Sequence, residues 1–234
     1  MQPAFVLVHS PLVGPSTWSL VADTLERKGF ETLVPTLGSV NPALPYWKQH
    51  ATEVAEALKS ISRDVPLILV GHSGAGSLLP AIQQLAKCDV AAYIFVDAGI
   101  PLNGRSQLEL MTLESPEFAG QFREALESGE RFPTWSAEDL QDIIPDETFR
   151  NRIVSELQPR SMDYFNELIP VFEGWPDAPC AYIQFTSTYE VFAERARTEG
   201  WPFQRIDAGH FHMLVDSEVV TTALLYVVRS MQNR

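Results

Sequence analysis

The chain has 234 residues, 45% of them apolar, a net charge of -13 and two cysteines. That length suits one α/β domain or a core with a small appended lid, and a mean hydropathy of -0.04 describes an ordinary globule with a sizeable core. The acidic balance disfavours nucleic acid and anionic lipid as partners, no apolar run approaches the ~18 residues of a membrane span, and the opening "MQPAFVLVHS" reads as a first strand and not a signal peptide.

Apolar runs and amphipathic stretches alternate along the chain. "AFVLVHS" (4–10) is a buried strand, and "STWSLVADTLERKG" (16–29) is a helix with Trp18, Val21 and Leu25 on one stripe, ending at Gly29. "FETLVPTL" (30–37) is a second strand, stopped by Pro35, and "YWKQHATEVAEALKSIS" (46–62) is a helix with Ala51, Val54, Ala55 and Leu58 on one face. "VPLILVGHS" (65–73) is apolar throughout, as central parallel strands are. A helix over 74–87 and a strand over 90–99 follow. Residues 101–176 then show helical pieces and no convincing strand. The alternation resumes with a strand (179–187), a helix (189–200), a strand (202–209) and a last helix (217–232) with Asp216 or Ser217 as N-cap. This order predicts an α/β fold: a mostly parallel central sheet with helices on both faces. Residues 1–100 and 177–234 form its core, and 101–176 is a helical lid insertion with an acid-rich, solvated surface.

Two stretches carry chemistry. In "LILVGHSGAGSLL" a buried strand runs into Gly71-His72-Ser73-Gly74-Ala75-Gly76, and a helix follows. A serine at that turn is forced out at the C-terminal edge of the sheet, with a helix N-terminus behind it that favours developing negative charge. Ala75 stands at the fifth position of the G-x-S-x-G pattern, a small residue for a small one. No GK[ST] follows, so a phosphate loop fits poorly. In "RIDAGHFHMLVDSEVV", His210 lies between the last strand and the last helix. It comes after the serine, in the chain order that a Ser–acid–His triad requires, and its neutral imidazole suits a general base. His212, two residues on, competes with it.

With "FVLVHSPLVGPSTW", "LVGHSGAGSLL" and "DAGHFHMLVD" in hand, the sequence resembles the α/β-hydrolase superfamily over nearly its whole length, most closely its small esterase, methylesterase and hydroxynitrile lyase branch. The resemblance implies Ser73 as nucleophile and His210 as base, with no metal or organic cofactor. The acid usually follows the strand starting at Pro179, and there this chain has Thr188. Asp97, at the end of "YIFVDAGIP", is the preferred replacement; Glu190 and Asp207 are the alternatives. The oxyanion donors would be the Gly74 N–H and one from the loop after the first strand, but the residue in register there is Pro11, which has no N–H. Either the Leu12 N–H turns in, or the Ser10 hydroxyl supplies the bond, or the chemistry forms no tetrahedral oxyanion. Ser10, His72 and His212 are the expected substrate contacts.

The resulting expectation is a serine hydrolase for a small to medium, largely apolar ester, lactone or thioester. Phe118, Phe122, Phe132, Trp135, Tyr164, Phe165 and Phe172 are candidates for the pocket wall. The alternative is a non-hydrolytic lyase or cyclase using His210 as base, motivated by Pro11 and Ser10. Lyases of this branch carry a lysine directly after the histidine, where this chain has Phe211. The isolated Cys88 and Cys180 predict free thiols and a cytoplasmic protein. The expected partner is a small-molecule substrate, with no nucleic acid and no membrane, and the expected state a monomer or homodimer.

Overall fold

The computed structural model describes residues 2–38, 41 and 43–232; the ends of the predicted core, residues 1 and 234, lie outside that set. Six strands form one parallel sheet: β1 (Ala4–Val8), β2 (Thr32–Leu33), β3 (Leu67–Ser73), β4 (Val90–Ala98), β5 (Cys180–Gln184) and β6 (Phe203–Arg205), in the order β2-β1-β3-β4-β5-β6. All its pairings are parallel, so each connection must cross one face of the sheet. Side chains alternate between two cores, as the two-residue strand period demands. Val6, Leu69, Tyr93, Phe95 and Tyr182 pack on one face with helices α2 (Tyr46–Ala57), α3 (Leu79–Ala86) and α8 (Glu190–Thr198). Phe5, Leu7, Ile68, Val70, Ile94 and Ile183 pack on the other with α1 (Ser19–Arg27) and α9 (Ser217–Gln232). Asp216 caps α9 by accepting the Val219 N–H at 3.0 Å.

Two predicted strands are shorter than their apolar patterns. The run 30–37 pairs only at Thr32–Leu33. Pro35 offers no N–H for a ladder, and the chain turns so that the Leu37 N–H donates to His9 Nε2 at 3.2 Å. The run 202–209 pairs only at Phe203–Arg205, and Asp207 lies beyond the strand. The predicted helix over 46–62 closes at Ala57 with a short 3-10 turn, Leu58–Ser60.

Between β4 and β5 lie four helices, α4 (Gln107–Glu114), α5 (Pro116–Glu127), α6 (Glu147–Ser155) and α7 (Met162–Asn166). Ser106 and Glu109 form a reciprocal capping box that starts α4, and Ser115 with Pro116 starts α5. Leu108, Ala119, Phe122, Leu126, Tyr164 and Phe165 give these helices a small core of their own.

The sheet order places the site. From β1 the chain moves outward to β2, then returns to β3 on the other side of β1. The loops after β1 and β3 therefore part at the C-terminal edge, which leaves a crevice there. Those two loops carry Ser10 and Ser73.

Candidate active site

Ser73 sits at φ 56° and ψ -127°, a conformation that a side chain adopts only under constraint. The constraint is visible. A Cβ on Gly71 would lie 3.0 Å from the Gly76 Cα, and one on Gly76 would lie 2.4 Å from the Gly99 carbonyl oxygen. The turn is thus pressed against itself and against the end of β4, and only glycine fits at both positions. Ala75, at the motif's fifth position, buries its methyl completely. Gly74 opens the following 3-10 turn, so its N–H has no acceptor within that turn. Gln107 of α4 donates to the Gly74 carbonyl at 3.0 Å and to Ser77 Oγ at 2.6 Å, which fixes the plane of that peptide.

Asp97 reaches the site through a bulge. The β3–β4 register passes from His72 opposite Val96 to Ser73 opposite Ala98, leaving Asp97 as the extra residue at φ 43°. A bulge re-aims the side chain it carries. Here the carboxylate is fully buried and saturated: Oδ1 accepts the Phe185 and Thr186 N–H groups at 2.9 Å each, and Oδ2 accepts the Thr186 hydroxyl at 2.9 Å and His210 Nδ1 at 2.7 Å. Because the carboxylate accepts a hydrogen bond from Nδ1–H, the neutral His210 ring keeps its proton there and its Nε2 is bare. The other two acids lie elsewhere. Glu190 accepts from Gln184, Arg197 and Arg205, and the exposed Asp207 accepts from Arg205.

His72, expected as a substrate contact, is among the residues walling the cavity at Ser73, though it is fully buried. Its Nε2 donates to the His210 carbonyl at 2.9 Å, and burial holds its pKa well below the ordinary value, so it is a neutral brace for the His210 loop. His212, also expected to touch substrate, packs its ring on Phe185 and is not among the walls of the cavity. Ser10 does line the cavity, 4% exposed.

The loop after β1 is held from both ends. His9 is buried, donates from Nδ1 to the Ser10 carbonyl at 2.8 Å and accepts the Leu37 N–H at Nε2; burial pushes its pKa down to about 4. On the far side the Leu12 carbonyl accepts the Gln158 N–H at 2.9 Å. Past Pro11, the Leu12 N–H points to Ser10 Oγ at 3.4 Å, a long contact that leaves the donor weakly engaged. A Cβ built on Gly74 would lie 3.5 Å from that same Ser10 Oγ. The two candidate donors and the Ser10 hydroxyl thus share one corner of the site.

Tyr189 and Glu114 are site residues that no sequence pattern singled out. The Tyr189 hydroxyl lies 3.2 Å from Ser73 Oγ, and its ring stacks on His210 with centroids 5.5 Å apart. Burial and the Glu114 and Asp97 carboxylates push its phenol above the ordinary range. Ser73 is therefore hydrogen-bonded to Tyr189 in this structure and must rotate to meet His210. Glu114, the last residue of α4, is pushed up to about 8 by burial and by Asp97. Tyr189 stands one residue after Thr188, the position at which the family pattern places an acid.

Ser73 opens into a cavity of about 230 Å³ whose walls include Phe118, Phe122, Phe132, Trp135, Tyr189 and Phe211. A smaller one of about 50 Å³, walled by Gly99, Gln107, Tyr164 and Phe165 among others, adjoins it through Leu12, Ser73, Met111, Glu114 and Tyr189. Phe172 lines neither. Among the described residues no cluster of three or more His, Cys, Asp or Glu side chains could hold a metal, and no helix is long and apolar enough to cross a membrane.

Comparison with known proteins agrees with this architecture. Methylesterase 17 of Arabidopsis thaliana is 30% identical over 109 residues, which span 44% of this chain and 39% of that protein. An extracellular alpha/beta-hydrolase from a Paenibacillus species superposes with a TM-score of 0.76 at 18% identity, covering 96% of this chain and 98% of that one. Polyneuridine aldehyde esterase superposes with a TM-score of 0.74 at 18% identity, covering 97% and 99%. At such identities the two structures speak for the fold alone. The sequence profile of the alpha/beta hydrolase family matches residues 5–223. With that match spanning nearly the whole chain, the protein belongs to the alpha/beta hydrolase family.

Proposed function

We propose that this protein is a serine esterase acting through an acyl-enzyme, with Ser73, His210 and Asp97 as its triad. The observation that carries the reading is the Asp97–His210 hydrogen bond of 2.7 Å beside a serine held at φ 56° in the same cavity. Ser73 Oγ attacks the ester carbonyl as His210 Nε2 takes its proton. Asp97 keeps the imidazole in the tautomer that can do so and stabilises the imidazolium. The Gly74 and Leu12 N–H groups receive the oxyanion, the latter leaving its weak contact with Ser10 Oγ, so Pro11 shifts the second donor by one residue without removing it. The imidazolium returns the proton to the departing alkoxide, and water repeats the sequence to release the acid.

The methylesterase and esterase names of its relatives support a carboxylic ester as substrate. A 230 Å³ cavity holds about eight waters' share of liquid volume, so the ester is small to medium in size. Helices α4 and α5 supply Met111, Phe118 and Phe122 to its wall, the α5–α6 connection supplies Phe132 and Trp135, and the insertion between β4 and β5 acts as the lid. A fluorophosphonate probe tests the reading. It should add its mass to the wild-type protein and leave Ser73→Ala unlabelled; an unlabelled wild type overturns the serine-nucleophile assignment.

A second reading, a lyase or cyclase using His210 as base, draws on one feature: Ser73 Oγ is bonded to Tyr189 and not to His210. It predicts an activity that survives Ser73→Ala and disappears in His210→Ala.

A further inference from the structure

Glu114 is an acid where the local chemistry disfavours one. It ends α4, where the helix dipole is negative. It lines both cavities beside Ser73, yet its carboxyl makes no hydrogen bond to a described residue. Asp97, whose charge Glu114 feels, is already committed to His210 and Thr186. Among the described residues neither cavity has a lysine or arginine in its wall. Six aromatic side chains line the larger cavity with Glu114: Phe118, Phe122, Phe132, Trp135, Tyr189 and Phe211.

These features share one electrostatic sign. A carboxylate, a helix C-terminus and aromatic ring faces all attract a cation in a site shielded from water. The chain's net charge of -13 draws cations toward the surface as well. The kind of cation follows from the hydrogen bonds on offer. A primary ammonium brings three N–H donors, and among the polar walls beyond Glu114 the side chains of Ser10, His72, Ser73, Thr186, Tyr189 and His210 already hold hydrogen bonds, which leaves Thr188. An alkylated ammonium asks for fewer partners or none.

Resting on the esterase reading of the site, we infer that the cavity selects esters carrying a tertiary or quaternary ammonium group, with Glu114 as the counter-ion and the aromatic rings as its walls. Burial and Asp97 push the Glu114 carboxyl up to about 8, and a cation beside it favours the carboxylate. The inference makes Glu114 a specificity-determining residue and leaves bond cleavage to Ser73 and His210.

The test compares two esters of one shape, 2-(trimethylammonio)ethyl acetate and 3,3-dimethylbutyl acetate, which differ by nitrogen for carbon. In the wild type, kcat/KM should favour the cation by about tenfold or more, the scale of one desolvated charge contact. In Glu114→Gln the ratio should fall toward one. A wild-type ratio at or below one overturns the inference, whether or not the variant folds, and so does a preference that survives in Glu114→Gln. A second measurement is independent of turnover: calorimetric binding of the propyltrimethylammonium ion to Ser73→Ala, which should be lost in Ser73→Ala/Glu114→Gln. Binding through Glu114 without hydrolysis of either ester would sink the esterase reading and leave this one standing. Hydrolysis of the neutral ester without cation preference would do the reverse.

Discussion

Replacing Asp97 by asparagine tests the proposed triad most directly, because the structure says which hydrogen bonds the change keeps. Asparagine Oδ1 can still accept the Phe185 and Thr186 N–H groups, each now at 2.9 Å. Its Nδ2 is a donor, and it would face Thr186 Oγ1 and His210 Nδ1, now at 2.9 and 2.7 Å from the carboxylate. The threonine hydroxyl can rotate and accept. His210 can accept at Nδ1 only by moving its proton to Nε2, the nitrogen that must be bare to deprotonate Ser73. The imidazolium also loses its counter-charge. The expected loss in kcat is about 10³–10⁴-fold, or roughly 4–5.5 kcal/mol in the barrier. The fold should suffer far less, since one charge-assisted bond becomes neutral at a cost of about 1–2 kcal/mol and a Tm drop below about 8 °C. Steady-state hydrolysis of 4-nitrophenyl acetate, with a circular dichroism melt, reads both. Glu190→Gln is the control: it loosens contacts to Arg197 and Arg205 on a half-exposed surface and should leave kcat/KM within about threefold. An Asp97→Asn protein that folds and keeps more than a tenth of wild-type activity would refute the assignment.

Other outcomes follow from neighbouring residues. Tyr189→Phe removes one neutral 3.2 Å hydrogen bond to Ser73 and keeps the ring on His210, so kcat should change less than about fivefold; a loss beyond a hundredfold would make the hydroxyl a catalytic group. Gly76→Ala drives a methyl to 2.4 Å from the Gly99 carbonyl, where backbone must move; the melt should show about 3 kcal/mol lost, or roughly 6–12 °C, and an unchanged Tm contradicts the packing. His9, with its folded pKa lowered to about 4 from 6.5, favours the fold above pH 6.5, and this contribution fades as pH falls toward 4 while the unfolded chain takes up the proton. It amounts to about 2 kcal/mol between pH 7.5 and 5. Urea midpoints for His9→Gln should therefore fall less on acidification than those of the wild type, and parallel curves would show that His9 does not titrate with unfolding.

Much of this architecture was legible because parallel strands buried on both faces must be apolar almost throughout. "AFVLV", "LILV" and "YIFV" announce themselves, and the alternation with helical stripes leaves little choice of fold class. The glycine-rich turn was legible for a similar reason, since a backbone crossing as tight as that of Gly71 and Gly76 tolerates no side chain. Chain order, with a place between the last strand and the last helix, then pointed to His210. Strand lengths were less legible. Apolar pattern continues past Leu33 and Arg205, but pairing stops where the neighbouring strand runs out or a proline removes a donor.

Tertiary structure decided the relations among residues far apart in sequence. A one-residue bulge turns Asp97 toward a histidine 113 positions away, and no local preference encodes a register shift between two strands. The fates of Glu190 and Asp207 depend on which arginines fold beside them. His72 and His212 looked alike by position, yet His72 walls the cavity and braces the His210 loop while His212 packs on Phe185. Tyr189, Gln107 and Glu114 joined the site only because the β5–α8 connection and helix α4 close over the sheet edge. The sequence alone determined a parallel sheet with a serine at a crowded turn on its edge, since burial and backbone crowding are written in local composition. Only the folded chain decided which acid, which amide and which cavity wall surround that serine, since those depend on distances that local composition does not carry.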